Sequence, residues 1–325
     1  MKILLTGASS FTGMWFAREL ARAGHEVVAT FRKRPEEYAD ELRRRRVSMA
    51  LEVCRGVFGC SFGDPAFLDL VRRERWNLFC HHAADVTNYK SPDFDLVSAL
   101  ANNTRNITSV LDALNAGGQP RPRLLMTGSV FENDEGVGSE GLPAFSPYGL
   151  SKGLTWQVFR YHAARAVLTL GKFVIPNPFG PYEEPRFTAH LMKSWFAGQT
   201  AAVNTPAYVR DNIHVSLLAK VYAKFAEEFR ERPWLQQMIH PSGYPESQGA
   251  FALRFAKEMR RRLGLSCEVE LERQVDFQEP RVRINTDLID GQALGWDESA
   301  AWDEIAEYYK GLFRPKKDGA ALRHE

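Results

Sequence analysis

The sequence predicts an α/β fold, a doubly wound parallel sheet with a smaller C-terminal lobe. Three observations carry this. Short apolar runs alternate with longer helical patterns over the first two-thirds of the chain. A glycine-bearing turn, TGASSFTG, follows the first run and opens the first helix. After about Asn177 the alternation gives way to the Pro- and Gly-rich stretch IPNPFGPYEEPRF. A βαβα rhythm implies parallel strands with helices on both faces.

In chain order, the runs KILL, EVVATF, GVFGC, NLFCH, RLLM and KFVI predict strands at Lys2–Leu5, Glu26–Phe31, Gly56–Cys60, Asn77–His81, Arg123–Met126 and Lys172–Ile175. The longer patterns between them predict helices at Thr12–Ala23, Pro65–Arg73, Phe94–Ala116 and Pro147–Ala166. The predicted domain boundaries put a dinucleotide-binding unit at 1–176. A substrate-side lobe follows at 177–313, with some sheet segments returning to the first unit. The polar tail 314–325, RPKKDGAALRHE, is predicted to be mobile. No internal repeat or low-complexity segment is evident.

Composition bounds the function. The 325 residues are 44% hydrophobic and 25% charged, which suits one large or two intimately joined domains with a sizeable core. A net charge of +2 gives no field that points to nucleic acid or an anionic membrane. The basic runs Arg43–Arg46 and Arg260–Arg262 read as solvated helix faces. Cys54, Cys60, Cys80 and Cys267 lack metal-ligand spacing and read as buried free thiols of a reducing compartment. There is no signal-peptide layout, and no apolar run approaches the ~20 residues that span a bilayer. The expectation is a soluble cytoplasmic protein.

TGASSFTG sits where a dinucleotide loop must sit, between a strand and a helix. Gly7 permits the tight turn, Gly13 permits close packing of helix on strand, and the helix-start amides can face a pyrophosphate. At the end of the second strand, Phe31 is followed by Arg32, Lys33 and Arg34, and the next carboxylate is Glu36. An acidic residue there would suit the adenosine ribose of NAD; a cationic site suits the 2′-phosphate of NADP, with Arg32 as its contact. NADP is therefore expected, with NAD as the alternative.

In SPYGLSK, Tyr148 and Lys152 lie four apart and share one helix face. A free phenol titrates near pH ~10, too high for acid/base work at neutral pH, and a neighbouring ammonium favours the phenolate. The pair therefore reads as a proton shuttle. His81 and His82 are adjacent on a strand and point to opposite faces, so no metal is expected.

Together these segments resemble the extended short-chain dehydrogenase/reductase family, the epimerase/dehydratase type that modifies nucleotide sugars, over Lys2 to about Leu312. The family loop is TGxxGxxG, and Ser10 stands at its middle glycine. HHAA resembles the family's H-x-A-A strand end, NNTRNITSVLDAL its N-V-x-G-T-x-N-L-L helix, and CSFGD its G-D-L-x-D adenine segment, with Ser61 in place of the first aspartate. The resemblance implies a Rossmann domain with cofactor contacts at Gly7, Ser9, Ser10, Phe11, Thr12, Gly13, Ser61, Phe62, Ala83, Ala84, Asn103, Tyr148, Lys152 and Pro176. LLMTGSVFE matches S-x-x-V-Y-G, where counting back from Phe131 gives Thr127 as the third catalytic residue. Ser129 is the runner-up and a substrate contact. NPFGP and RDNIHV match the family's N-x-x-G-P and R-D-Y-I-H-V, which implies substrate contacts at Asn177 and Arg210, with Arg281 as a second diphosphate clamp. The family also implies a homodimer through Phe94–Ala116 and Pro147–Ala166.

The same resemblance narrows the reaction. The family's 4,6-dehydratases carry Asp-Glu directly after the catalytic threonine, where Gly128 and Ser129 stand here. Its enolising epimerases use a cysteine and a histidine where Ser129 and Tyr182 stand. Hydride transfer at C4 of a nucleotide-diphosphate sugar is the expectation, as a 4-ketoreductase or, alternatively, a 4-epimerase that retains its cofactor. A catalytically silent NADP-binding regulator is the reading from another class.

Overall fold

The computed structural model describes residues 1–118, 120–229 and 237–313; the predicted tail at 314–325 lies outside the described residues. β1 (Lys2–Thr6), β2 (Glu26–Phe31), β3 (Arg55–Phe58), β4 (Leu78–His81), β5 (Arg123–Ser129) and β6 (Leu170–Ile175) form within a few residues of the predicted spans. They pair in parallel. Successive residues point to opposite faces. Leu4, Val28, Phe79 and Leu124 therefore pack on one side, and Leu5, Ala29, Cys80 and Leu125 on the other.

The later strands are β7 (Asn177–Phe179), β8 (Ala201–Val203), β9 (Val209–His214), β10 (Gln237–Ile239), β11 (Pro241–Ser242), β12 (Tyr244–Ser247), β13 (Val269–Leu271), β14 (Val282–Arg283) and β15 (Asp287–Leu288). The helices are α1 (Phe11–Arg22), α2 (Glu41–Leu51), α3 (Pro65–Arg73), α4 (Leu96–Asn103), α5 (Ile107–Asn115), α6 (Pro147–Arg165), α7 (Phe187–Phe196), α8 (Val215–Glu228), α9 (Gln248–Leu263) and α10 (Glu298–Phe313). The main sheet runs β10-β6-β5-β4-β1-β2-β3. Strand order reverses between β1 and β4, and ligands of such sheets bind beyond the strand ends at that crevice.

Helices α1, α2 and α8 cover one face, where Phe16 and Tyr222 stack at 3.9 Å. Helices α3, α5 and α6 cover the other, around Phe62, Phe79 and Phe159. The C-terminal lobe has its own core of Phe179, Phe251, Phe255 and Trp302, built from α7, α9 and α10. In it β9 pairs with β7, β12 and β14.

Two sequence expectations are corrected. The helix predicted over Phe94–Ala116 is two helices, broken at Asn106, whose φ of 51° is left-handed and which donates through Nδ2 to the Gly63 carbonyl at 2.8 Å. The apolar spacing continues across the break, so periodicity does not reveal it; asparagine tolerates the conformation and its amide rewards it. The run Arg43–Arg46 is also not a wholly solvated face. It belongs to α2, and Arg46 is 1% exposed. Its guanidinium donates to the Tyr182 carbonyl and pairs with Glu184 at 2.6 Å.

Gly63 closes the α4–α5 break. Its φ is +72°, and a Cβ there would collide with the Arg105 carbonyl. Gly24 has a similar φ, +83°, but open space. Gly24→Ala is expected to lose about 1 kcal/mol from backbone strain alone. Gly63→Ala should lose at least about 2 kcal/mol, because a steric clash is added. Urea unfolding midpoints of the two variants check this ordering.

Candidate active site

The loop between β1 and α1 has the form of a phosphate cradle. Gly7 has a φ of +84°, and a Cβ on it would lie 2.8 Å from the Ala83 amide nitrogen. Ser10 at the family's middle-glycine position is accommodated because its backbone is extended, at φ −82° and ψ 167°. Its hydroxyl caps α1, accepting from the Gly13 amide at 3.1 Å and donating to the Gly7 carbonyl at 2.9 Å. The Phe11 and Thr12 amides, which a helix ladder does not use, remain at the helix start for an anion. Ser9 is half-buried beside them.

The end of β4 forms the neighbouring wall. The Thr6 hydroxyl accepts from the amides of His82 and Ala83 at 3.1 and 3.0 Å, which ties β1 to this segment. His81 and His82 point to opposite faces, as expected. His81 stacks on Phe159, while His82 sits edge-on to Phe16 and meets the hydroxyls of Ser10 and Thr12 at 3.1 and 3.0 Å. Burial pushes both imidazoles down to about 3, so both are neutral. Ala83 and Ala84 are half-buried. Asn103 is buried, with its Oδ1 accepting from the Asp85 amide at 2.8 Å. Phe62 packs into the core, and the Ser61 amide donates to Asp64, the cap of α3. Arg32, Lys33 and Arg34 are exposed at the end of β2. These donors, small residues and cations fit a nicotinamide dinucleotide.

Across the crevice, Ser146 caps α6 and so places Tyr148 in its first turn. The Tyr148 ring lies edge-on to Tyr89 and Phe94, 5.3 and 5.9 Å between centroids. Lys152 is buried and donates to the Thr127 carbonyl at 2.6 Å. The phenol is pushed up, first by burial and then by the Glu132 carboxylate, against a smaller downward pull from Arg186. Burial lowers Lys152. The expected ammonium–phenol pairing is thus replaced here by an ammonium–carbonyl bond. Thr127 is buried on the α8 face, and its hydroxyl has no hydrogen-bond partner among the described residues. The Ser129 hydroxyl accepts from the Phe131 amide at 3.2 Å.

The sequence of residues 3–234 matches the family described as "NAD dependent epimerase/dehydratase family". The chain belongs to this family. Solved structures agree in fold across nearly the whole chain. The UDP-glucuronic acid 4-epimerase of Bacillus cereus, in complex with UDP-glucuronic acid and NAD, is 17% identical at a TM-score of 0.70, covering 96% of this chain and 100% of that one. The UDP-glucose 4-epimerase of Thermotoga maritima, with UDP-glucose, is 17% identical at 0.68, covering 96% and 99%. The dTDP-glucose 4,6-dehydratase of Bacillus anthracis, in complex with NAD, is 17% identical at 0.67, covering 96% and 97%. No curated protein gave a significant sequence match.

On the lobe side, Pro176 is buried and Asn177 is half-buried at the start of β7. Arg210 is 8% exposed and already engaged: Nη1 donates to the carbonyls of Val209, Pro280 and Arg281, and Nη2 pairs with Glu279 at 2.9 Å. Arg281 is exposed, its guanidinium 4.2 Å from the Phe277 ring centroid, with no side-chain hydrogen bond or ion pair to the described residues. Sequence reading missed Lys172, Glu132, Glu135 and Arg283, all buried near the end of β5. The charged Lys172 inside the apolar run of β6 was the available signal, since an unpaired buried charge is prohibitive. It also missed Glu183. This residue is buried against Tyr309, whose hydroxyl donates to Oε1 at 3.2 Å, and burial pushes the carboxyl up to about 8.

Glu183 gives a testable slope. Its folded value lies above the ordinary 4.5, so the native state holds a proton that the unfolded state releases. Its contribution is fully present below about pH 4.5 and is lost as pH rises through about 8. Glu183→Gln is expected to flatten the fall of Tm over that window, as measured by thermal unfolding of both proteins across it.

Proposed function

We propose that this protein transfers hydride at C4 of a nucleotide-diphosphate sugar and works as an NADPH-dependent 4-ketoreductase. The observation that carries this reading is the placement of Tyr148 in the first turn of α6, its ring against Tyr89 and Phe94 and its phenol pushed up by burial and then by the Glu132 carboxylate. A resting proton donor suits the reduction of a ketone, where the developing alkoxide must receive a proton. The bound nicotinamide supplies the hydride. Tyr148 donates its proton to the new hydroxyl oxygen. Lys152 anchors α6 to the end of β5 through the Thr127 carbonyl, and Thr127 or Ser129 supplies the further hydroxyl of the site. Gly128 and Ser129 offer no carboxylate for dehydration at the positions that directly follow Thr127.

Arg32 to Arg34 support NADP as the cofactor, because a 2′-phosphate finds exposed cations there. Arg281 is the freer of the two proposed diphosphate ligands. A homodimer through α4 and α6 belongs to the same proposal, since Val97 and Tyr161 are 74% and 60% exposed on those helices. A second reading, 4-epimerase with a retained cofactor, is favoured by the two epimerases described above and by the NAD bound to one of them.

Incubation with NADPH and a panel of 4-keto nucleotide sugars separates the readings. Stoichiometric NADPH oxidation is the expected result, and Tyr148→Phe should lower it by about 100-fold or more. Sugar interconversion without net oxidation would give the epimerase instead. Arg32→Ala is expected to weaken NADP(H) binding by about tenfold and leave NAD(H) binding unchanged, measured by nucleotide fluorescence titration.

A further inference from the structure

Ser10 and His82 are 72 residues apart, one in the phosphate loop and one just past the end of β4, and the fold brings them into contact. Ser10 stands at the middle glycine of the family loop, and His82 fills the open position of H-x-A-A. His82 Nε2 lies 3.1 Å from the Ser10 hydroxyl oxygen and 3.0 Å from that of Thr12. One ring nitrogen thus bridges the two hydroxyls that flank Phe11, the first residue of α1.

The imidazole is held from other sides as well. The amides of His82 and Ala83 both donate to the Thr6 hydroxyl. Phe16 packs edge-on, 5.1 Å between ring centroids. Gly7 lets the two segments approach, since a Cβ there would lie 3.0 Å from the His82 carbonyl carbon. His82 is therefore seated against the phosphate loop by its backbone and by its ring.

The hydrogens in this contact can be assigned. Burial keeps the ring neutral, so it carries one N–H. The Ser10 hydroxyl gives its own hydrogen to the Gly7 carbonyl at 2.9 Å, so towards the ring it can only accept. The ring hydrogen therefore sits on Nε2, shared between the oxygens of Ser10 and Thr12. Nδ1, which has no partner among the described residues, is the bare nitrogen. The Thr12 hydroxyl makes no other hydrogen bond to the described residues, so its own hydrogen stays uncommitted. It lies at a helix start whose Phe11 and Thr12 amides already suit an anion.

We propose that His82 is a positioning residue for the cofactor: its Nε2–H fixes the Ser10 cap and turns the Thr12 hydroxyl into a donor for the pyrophosphate of the dinucleotide. Ser10 belongs to this device, because a glycine would leave the ring without that acceptor. The proposal rests on the chain binding a nicotinamide dinucleotide at this loop, which the wild-type protein tests separately.

NADPH and NADH are titrated into the full chain, with binding followed by nucleotide fluorescence. Thr12→Val is expected to weaken both by about tenfold and His82→Leu to weaken both by about fivefold. The pyrophosphate is common to the two cofactors, so each variant should lose the same factor for both. The double variant Thr12→Val, His82→Leu should bind no more weakly than Thr12→Val alone, because the ring acts through that hydroxyl. His82→Gln, whose side-chain N–H can replace the ring donor, should recover most of the loss. Nitrogen-15 NMR of ring-labelled histidine in the wild-type chain, the signals assigned by loss in His82→Gln, should place the hydrogen on Nε2. This readout keeps the test valid if the leucine variant does not fold, as judged by near-UV circular dichroism. A ring hydrogen on Nδ1 would overturn the proposal. So would a His82→Leu protein of lowered Tm but unchanged affinity, which would mean a role in stability alone. A wild-type chain that binds neither dinucleotide would overturn both this proposal and the reading beneath it.

Discussion

The Lys172 ammonium, enclosed by the carboxylates of Glu132 and Glu135, is the interaction on which the candidate-site end of the molecule depends. A buried cation is tolerated only when paired and hydrogen-bonded, and both of its carboxylate partners here come from one loop. Glu132 and Glu135 belong to the loop after β5, and Glu135 leads on to His240 beyond β10. Losing the ammonium would leave two buried carboxylates without their shared cation beneath the strand ends. The cation therefore obliges β5, β6 and β10 to keep one register relative to the loop that faces α6.

Arg283 and Arg46 apply the same constraint at the junction of sheet and lobe. Each is almost fully buried and each donates chiefly to backbone carbonyls, so it holds a loop by its main chain. Arg46 reaches from α2 to the Tyr182 carbonyl, and Trp15 on α1 reaches the neighbouring Pro181 carbonyl at 3.3 Å. The chain leaving β7 is thus docked on the helices that flank the phosphate loop. Planar, fixed-charge donors suit this work, because several carbonyls can be satisfied by one rigid fork.

The phosphate loop shows how a departure from a family pattern can be neutral. Ser10 keeps the extended backbone that a helix cap needs, so the conformational freedom of glycine is not required at that position. Its hydroxyl folds back on Gly7 and Gly13. Gly7 is different: its positive φ and the nearby Ala83 amide leave no space for a side chain. The spacing alone makes the two positions look alike; the backbone angles tell them apart.

Much of the frame was legible in the chain. Strands β1 to β6, the helix after the phosphate loop and the joint placement of Tyr148 and Lys152 on one face all follow from patterns repeating every two or about four residues. Such signals are local, and they survived folding. What the sequence did not reveal was the partner of each long polar side chain. Lys152 bonds a carbonyl 25 residues away, and Arg283 one 151 residues away. The break at Asn106 likewise depends on Gly63. Partners distant along the chain, together with the burial that pushes the Tyr148 phenol up, exist only once the sheet, the helices and the lobe have closed on one another. The positions of the candidate site residues were therefore written locally, and tertiary packing decided their partners and their burial.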